Sequence, residues 1–250
     1  MEKMKDLGEG KESVMVWESH WKKAKVEEWD DMSETILRAL LRGAADLKGK
    51  LFLEAGSGTG RISFRLKEDE QGDVILLDVS RTAIGMSKHF FENRGQAGYF
   101  ILGSIFRIPI QSDSIDVVWN AGVLEHFTEY ETRLAIGEMA RVCRKHGVLI
   151  TLNPYSKAVL YRIGKWFAEK RKRWIYGFER PVKSITGYPA EGCTWIAEYS
   201  TDFDTSIGFL SSIPSLRFFI PLLRRFFKRL PPRILNRFGY LLVSIASKGK

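Results

Sequence analysis

Residues 51–60 read Leu-Phe-Leu-Glu-Ala-Gly-Ser-Gly-Thr-Gly, and no other stretch constrains the fold as strongly. Three apolar residues run into an acid, Glu54, and then into Gly56, Gly58 and Gly60 at alternate positions. Arg61-Ile62-Ser63-Phe64-Arg65-Leu66 follows and reads as the start of a helix. Strand, glycine turn and helix in this order suit a nucleotide-type site. Glycine lets the chain turn sharply and lets backbone N–H groups approach a ligand. A glycine loop alone is a weak signal, so the residues after it carry the decision.

A second strand, Val74-Ile75-Leu76-Leu77, ends in Asp78. An acid at that strand tip is the usual partner of ribose hydroxyls. The glycine spacing is G-x-G-x-G, not the dinucleotide G-x-G-x-x-G, which disfavours a nicotinamide oxidoreductase. Glu54 would repel a pyrophosphate and would suit a cationic adenosyl ligand. A third block runs Gly103-Ser104-Ile105-Phe106-Arg107-Ile108-Pro109, then Asp113-Ser114-Ile115-Asp116-Val117-Val118-Trp119-Asn120, then Gly122-Val123-Leu124-Glu125-His126-Phe127.

These three motifs, in this order and spacing, closely resemble the class I S-adenosylmethionine-dependent methyltransferases, best the methyltransferase type 11 group. The resemblance covers residues 48 to 154. It implies an α/β fold with a doubly wound, mostly parallel seven-stranded sheet whose last strand is antiparallel and inserts beside the fifth. It implies S-adenosyl-L-methionine as cofactor, leaving as S-adenosyl-L-homocysteine. On this resemblance Glu54 faces the cationic amino end. Ala55, Gly56, Ser57, Gly58 and Gly60 hold the methionine portion, and Asp78, next to Val79, takes the ribose hydroxyls. Ser104 and Ile105 stand where the adenine is received, and Asn120 and Ala121 border the methionine portion and the methyl group. The family usually has an acid where Ser104 stands; a neutral acceptor there makes a bond about half as strong.

The catalytic residue is unknown, with His126, Glu125 and Tyr155 as candidates. Glu125 and His126 follow the fourth strand, where acceptor and cofactor meet in such sheets. One reading makes them scaffold, since the same Leu-Glu-His segment serves relatives with unrelated acceptors. The other makes His126 a general base, because imidazole titrates near neutral pH. His20, His89 and His146 form no cluster and read as surface residues. Asn153-Pro154-Tyr155 follows the fifth strand, not the fourth, so it reads as a strand exit at the acceptor pocket, with Tyr155 lining it. No metal site is expected.

Strands are expected near 50–54, 73–78, 98–102, 115–120, 147–152 and 240–246, with a short sixth strand at Leu216-Arg217-Phe218. Helices are expected near 60–68, 81–93 and 128–144. A length of 250 residues suits a single domain. An N-terminal helical cap, about 1–47, and an insertion, about 155–235, would shape the acceptor site. Trp17 and Trp21 share a helix face, which either packs on the sheet or serves as a lid.

Cys143 and Cys193 form no paired motif, which suits a reducing compartment. The N-terminus lacks an apolar leader, and no apolar run approaches the ~18 residues that span a bilayer, so a cytoplasmic protein is expected. Charge is divided unevenly. Residues 1–154 hold 21 Lys and Arg against 24 Asp and Glu, whereas residues 155–250 hold 18 against 6. The insertion carries Lys165 to Trp174 and a second basic stretch, Phe218 to Leu230. In the latter, Phe219, Leu222, Leu223, Phe226, Phe227 and Leu230 recur at helical spacing, opposite Arg224, Arg225, Lys228 and Arg229. Its apolar face packs into its own fold in the first reading, contacts an anionic membrane surface weakly in the second, and gives way to nucleic-acid binding in the third.

The expected activity is methyl transfer by in-line displacement to a small or lipid-like acceptor. The alternatives are an RNA or protein methyltransferase that uses the basic insertion, and a non-catalytic cofactor-binding protein.

Overall fold

The structure, a computed structural model, describes residues 8–23, 29–44, 48–70, 72–174, 176–227 and 229–249. Two helices come first, α1 (Gly8–Trp21) and α2 (Asp31–Ala44). The glycine motif then joins β1 (Leu51–Ala55) to α3 (Arg61–Glu70). The alternation continues through β2 (Asp73–Asp78), α4 (Arg81–Glu92), β3 (Tyr99–Leu102), β4 (Ile115–Ala121), α5 (Glu129–Val142) and β5 (Cys143–Pro154). After it come α6 (Val159–Lys170), β6 (Cys193–Thr201), α7 (Phe203–Gly208), α8 (Pro214–Arg217), α9 (Ile220–Phe227), α10 (Pro232–Leu235) and β7 (Leu241–Lys248).

The seven strands form one sheet in the order β3-β2-β1-β4-β5-β7-β6. The first five are parallel, and β7 runs antiparallel between β5 and β6. The expected doubly wound α/β sheet is therefore present, last strand included. Successive side chains of a strand face opposite sides, and the inner strands are apolar on both. Phe52, Leu76, Trp119 and Ile150 face the side covered by α2, α3 and α4, while Leu53, Leu77, Val118 and Leu149 face the side of α5. Burial on both faces is the pattern of a parallel sheet wrapped by helices. Helix starts follow local chemistry. Ser80 caps α4 by accepting from the Ala83 N–H, and Thr128 with Glu131 forms a capping box at α5.

Three expectations need correction. The sixth strand is Cys193–Thr201; Leu216-Arg217-Phe218 instead ends a short helix that starts at Pro214, a residue suited to the first helical turn. The fifth strand begins at Cys143, before Gly147, and carries the basic residues Arg144, Lys145 and His146 in its first part. The reading in which the basic helix packs its apolar face into its own fold holds only for Leu223 and Phe227, which are half-buried. Phe219, Leu222 and Phe226 are exposed and Arg224 turns inward. Lys228 and residues 1–7 lie outside the described residues. Among the described residues no helix is long and apolar enough to cross a membrane.

Candidate functional site

A cavity of about 850 Å3 opens at the carboxyl ends of β1 and β4, the place where ligands bind in sheets of this topology. Glu54, Gly56, Ser57, Gly58 and Thr59 form one wall, and Ala121, Gly122, Glu125 and His126 form the next. Trp17, His20 and Trp21 of α1 close it from above, and Tyr176, Glu179, Phe209, Arg224 and Tyr240 supply the far end. The volume lies within the range of small-molecule and cofactor sites.

Gly56, Gly58 and Gly60 have φ of 87°, 52° and 69°, the left-handed region where side chains are strained. The loop's N–H groups are largely committed within the protein. Gly56 and Ser57 donate to the Leu77 carbonyl at 2.7 and 3.0 Å, Gly60 to the Ser57 carbonyl at 2.9 Å, and Gly58 to Asp78 Oδ2 at 2.8 Å. Most of the loop's N–H groups are thus used inside the protein, and side chains of Val123, Trp21 and Leu76 stand where a Cβ on Gly56, Gly58 or Gly60 would lie.

Glu54 is the penultimate residue of β1, with Oε2 accepting from Ser63 Oγ at 2.6 Å. Burial pushes its carboxyl up to about 8, against the smaller lowering effects of Ser63 and Arg61. Asp78 is buried as well; Oδ1 accepts from Ser80 N at 2.8 Å while Oδ2 holds Gly58. Burial raises its carboxyl despite these bonds. Asp78 therefore ties the glycine loop to the start of α4. Above it, Glu18 of α1 accepts from Arg81 N at 2.6 Å and Thr82 N at 3.3 Å, an acid at a helix N-terminus.

Of the expected site residues, Glu54, Gly56, Ser57, Gly58, Ala121, Glu125 and His126 share the cavity wall. Ala55 is buried behind the loop, and Gly60 is wedged against Leu76 and Ser87. Val79 is half-buried past the β2 tip. Ser104 Oγ accepts from Phe106 N at 3.2 Å, and Ile105 is buried in the core. Asn120 points into the α5 side, where Nδ2 meets Met139 Sδ at 3.4 Å and Oδ1 has no partner. Tyr155 is placed elsewhere: it lines a separate cleft of about 580 Å3 with Ser200, Asn236 and Leu242. Its neighbour Pro154 lines the main cavity, as alternate residues of an extended strand must diverge. His89 and His146 are exposed as expected, but His20 is not a surface residue. It packs on Trp21 and Tyr176 with ring centroids 4.7 and 5.4 Å away.

The His126 ring is oriented by Nδ1, which lies 2.6 Å from the Phe178 carbonyl oxygen. A carbonyl can only accept, so the proton of the neutral ring is assigned to Nδ1 and Nε2 is left basic. Burial lowers the ring's affinity for a second proton. Glu125 Oε1 lies 3.8 Å from Nε2, yet burial and the nearby Glu179 push the Glu125 carboxyl well above the carboxylate range. Glu125 Oε2 has no partner. Glu179 is raised by burial to about 8 and accepts from the Tyr161 hydroxyl. Glu179, Tyr176, Arg224 and Tyr240 carry no recognisable motif. Tyr176, Glu179 and Arg224 reach the cavity through the folding of the insertion and Tyr240 at the entry to β7, so no local pattern tied them to the site.

A family model described as a methyltransferase domain matches residues 53–151, the span from β1 to β5 that builds the loop, Asp78 and the segment after β4. Over that span the chain is similar to methyltransferase domains. Over 147 residues, 52% of its length, the chain is 26% identical to the ubiquinone/menaquinone biosynthesis C-methyltransferase UbiE of Yersinia pestis (strain Pestoides F). It spans 58% of the length of that relative. Among solved structures, the cyclopropane synthase MmaA2 of Mycobacterium tuberculosis superposes with a TM-score of 0.64 at 15% identity, covering 98% of this chain and 100% of its own. The [4+2]-cyclase SpnF superposes with a TM-score of 0.61 at 14% identity, covering 97% and 96%. At such identities the superpositions speak to the fold alone, and that fold hosts more than one chemistry.

Proposed function

We propose that this methyltransferase domain binds S-adenosyl-L-methionine and transfers its methyl group to a small or lipid-like acceptor. The observation that carries the reading is the single cavity that joins Glu54 and the glycine loop to the Glu125–His126 segment. The donor set fits this cofactor. A buried acid suits its cationic methionine end, and Ser57 Oγ and Glu125 Oε2 are buried without partners. When bound, the cofactor supplies a methyl group already activated on a cationic sulfur.

The chain's own residues then position and desolvate. Glu54 presents a carboxylate to the amino end, and the aromatic rings of α1 and the insertion exclude water. His126 Nε2 is placed to take a proton from an acceptor that has one to lose. The far end of the cavity, with Phe209, Tyr240 and Leu241, favours an acceptor with an apolar body. The names of UbiE and of the cyclopropane synthase are in keeping with that class. Titration calorimetry is expected to show heat from S-adenosyl-L-homocysteine and no comparable heat from NAD. Tight NAD binding without the adenosyl ligand would sink the reading.

Asp78 supports the same site in two ways, as an acceptor for ribose hydroxyls and as the brace of the loop. Asp78→Ala is expected to weaken S-adenosyl-L-homocysteine binding at least tenfold, the loss of charge-assisted bonds of about 1.5–3 kcal/mol. It also strips Gly58 and Ser80 N–H of their acceptor, so stability should fall by about 1–3 kcal/mol per group left unsatisfied. Calorimetry and denaturant melts read the two effects separately, and an unchanged dissociation constant would remove Asp78 from the ribose.

A further inference from the structure

From residue 205 to the C-terminus the chain holds nine Lys or Arg and no Asp or Glu. The helices α8 and α9 lie in this segment, and neither contains a buried residue. Phe218, Phe219, Leu222 and Phe226 are 87%, 54%, 64% and 59% exposed. Leu222 and Phe226 are one helical turn apart, and Phe218 and Phe219 lie one turn before them, so together they form a continuous outer face. Isolated exposed apolar residues need no explanation, but a contiguous set of large ones marks an interaction surface. Arg225 and Arg229 are exposed in the same segment, followed at intervals of four by Arg233 and Arg237.

The opposite face of α9 is spoken for. Phe227 packs edge-on against Phe203 of α7 with ring centroids 5.1 Å apart. Arg224 Nη2 reaches the Asp204 carbonyl at 3.5 Å, and Arg224 lines the cavity. The helix is thus a wall between the cavity and the exposed phenylalanines, one helix diameter thick. The same arrangement occurs on α6, where Tyr161 and Ala168 are buried while Val159, Ile163 and Trp166 stand exposed. The ammonium of Lys170 lies 4.0 Å from the Trp166 ring centroid.

We propose that the α8–α9 face docks on the surface of an anionic phospholipid bilayer, and that a lipid-like acceptor reaches the cavity past α9. The second clause rests on the methyl-transfer reading above; the first does not. Charge complementarity selects the occupant. Apolar side chains enter the acyl boundary while the cations meet anionic headgroups, the usual chemistry of an interfacial amphipathic helix. A second copy of this chain would bring the same acid-free segment and repel it. Nucleic acid would engage the arginines and leave Leu222 and Phe226 in water.

The test is flotation of the full chain with vesicles of phosphatidylglycerol and phosphatidylcholine in equal parts, beside phosphatidylcholine alone. Association is expected to be at least tenfold stronger with the anionic vesicles and to weaken as salt shortens the screening length. The triple variant Phe219→Ser, Leu222→Ser, Phe226→Ser changes only exposed positions outside the cavity. It should keep its melting temperature and its S-adenosyl-L-homocysteine affinity while losing at least tenfold in vesicle association. Arg225→Glu with Arg229→Glu should erase the preference for anionic vesicles, each arginine near the surface being worth about fivefold in partitioning. Wild-type protein that stays off anionic vesicles, or a triple variant that floats as well as wild type, overturns the proposal. Self-association abolished by the triple variant, without vesicle binding, would give the face to a second copy. An RNA band shift without vesicle binding would give the cations to nucleic acid. Both results count against docking on lipid. Vesicle binding without S-adenosyl-L-homocysteine binding leaves the docking standing and removes the methyl-transfer reading instead.

Discussion

Gly58→Val is expected to abolish S-adenosyl-L-homocysteine binding, with a loss of more than a hundredfold, or about 3 kcal/mol. Two effects add. The φ of 52° is a left-handed conformation that costs a side-chain-bearing residue about 1–2 kcal/mol. A Cβ on Gly58 would also stand 2.6 and 2.7 Å from two ring atoms of Trp21, closer than any real contact, so either the loop or α1 must move. Movement of the loop pulls the Gly58 N–H from Asp78 and misplaces the wall next to Glu54. Gly49→Val separates strain from crowding, because Gly49 has a φ of 70° and nothing within 4 Å of its would-be Cβ. That variant should lose stability and keep binding. Adding Trp21→Ala to Gly58→Val asks whether the indole alone was the obstacle. The double variant is still expected not to bind, because the strained loop no longer holds the Gly58 N–H on Asp78. Normal binding by Gly58→Val in calorimetry would show that the loop does not approach the ligand.

Strong local signals explain what the sequence made legible. β1, β2 and β4 are short apolar runs that end at a glycine loop, an acid and Asn120-Ala121-Gly122, and each is buried on both faces. Such runs carry their own boundaries. The sixth strand carried none. Cys193–Thr201 lies at the sheet edge, is mostly half-exposed, and contains an irregularity between Trp195 and Ala197 that breaks its period-two pattern. Leu216-Arg217-Phe218 offered two large apolar residues instead, but Pro214 starts a helix there. The stack of Trp17 and Trp21, with centroids 6.2 Å apart, was visible as spacing. What spacing could not say was that the pair sits over the glycine loop and against His126, whose ring lies 4.9 Å from Trp17. A helical stripe tells which residues share a face and not what the face meets. α9 shows the same limit from the other side, since the spacing of its apolar stripe left open whether the stripe was packed, and the structure divides it, with Phe227 against Phe203 and Phe219, Leu222 and Phe226 exposed. The far end of the cavity was the least legible part, because Tyr176, Glu179 and Arg224 meet there only through tertiary packing.

Binding of the cofactor is expected to release a proton, through Glu54. In the free protein burial holds this carboxyl at about 8, so near pH 7 it is mainly protonated. An ammonium group brought next to it favours the carboxylate and drives the value down. The sign follows from linkage. Since the complex binds fewer protons than the free protein, affinity rises with pH, up to about tenfold per unit between the bound and free values, and levels off above about 8. The same raised value makes the free protein lose stability as pH climbs from about 4.5, where the unfolded chain ionises, towards 8, and bound ligand offsets that loss. Arg61, which lowers the carboxyl, and Asp78, which raises it, are the charged groups that act on it. Asp78 is itself raised by burial, so Glu54 has to be told apart from it. Glu54→Gln separates the two. It keeps shape and burial but has no proton to lose, so its affinity should stay flat from pH 5.5 to 7.5 where the wild type climbs at least tenfold. Calorimetry in buffers of different ionisation enthalpy reads the released proton directly. A wild-type affinity that does not change with pH, or a Gln variant that still rises, would move the cationic end of the ligand away from Glu54.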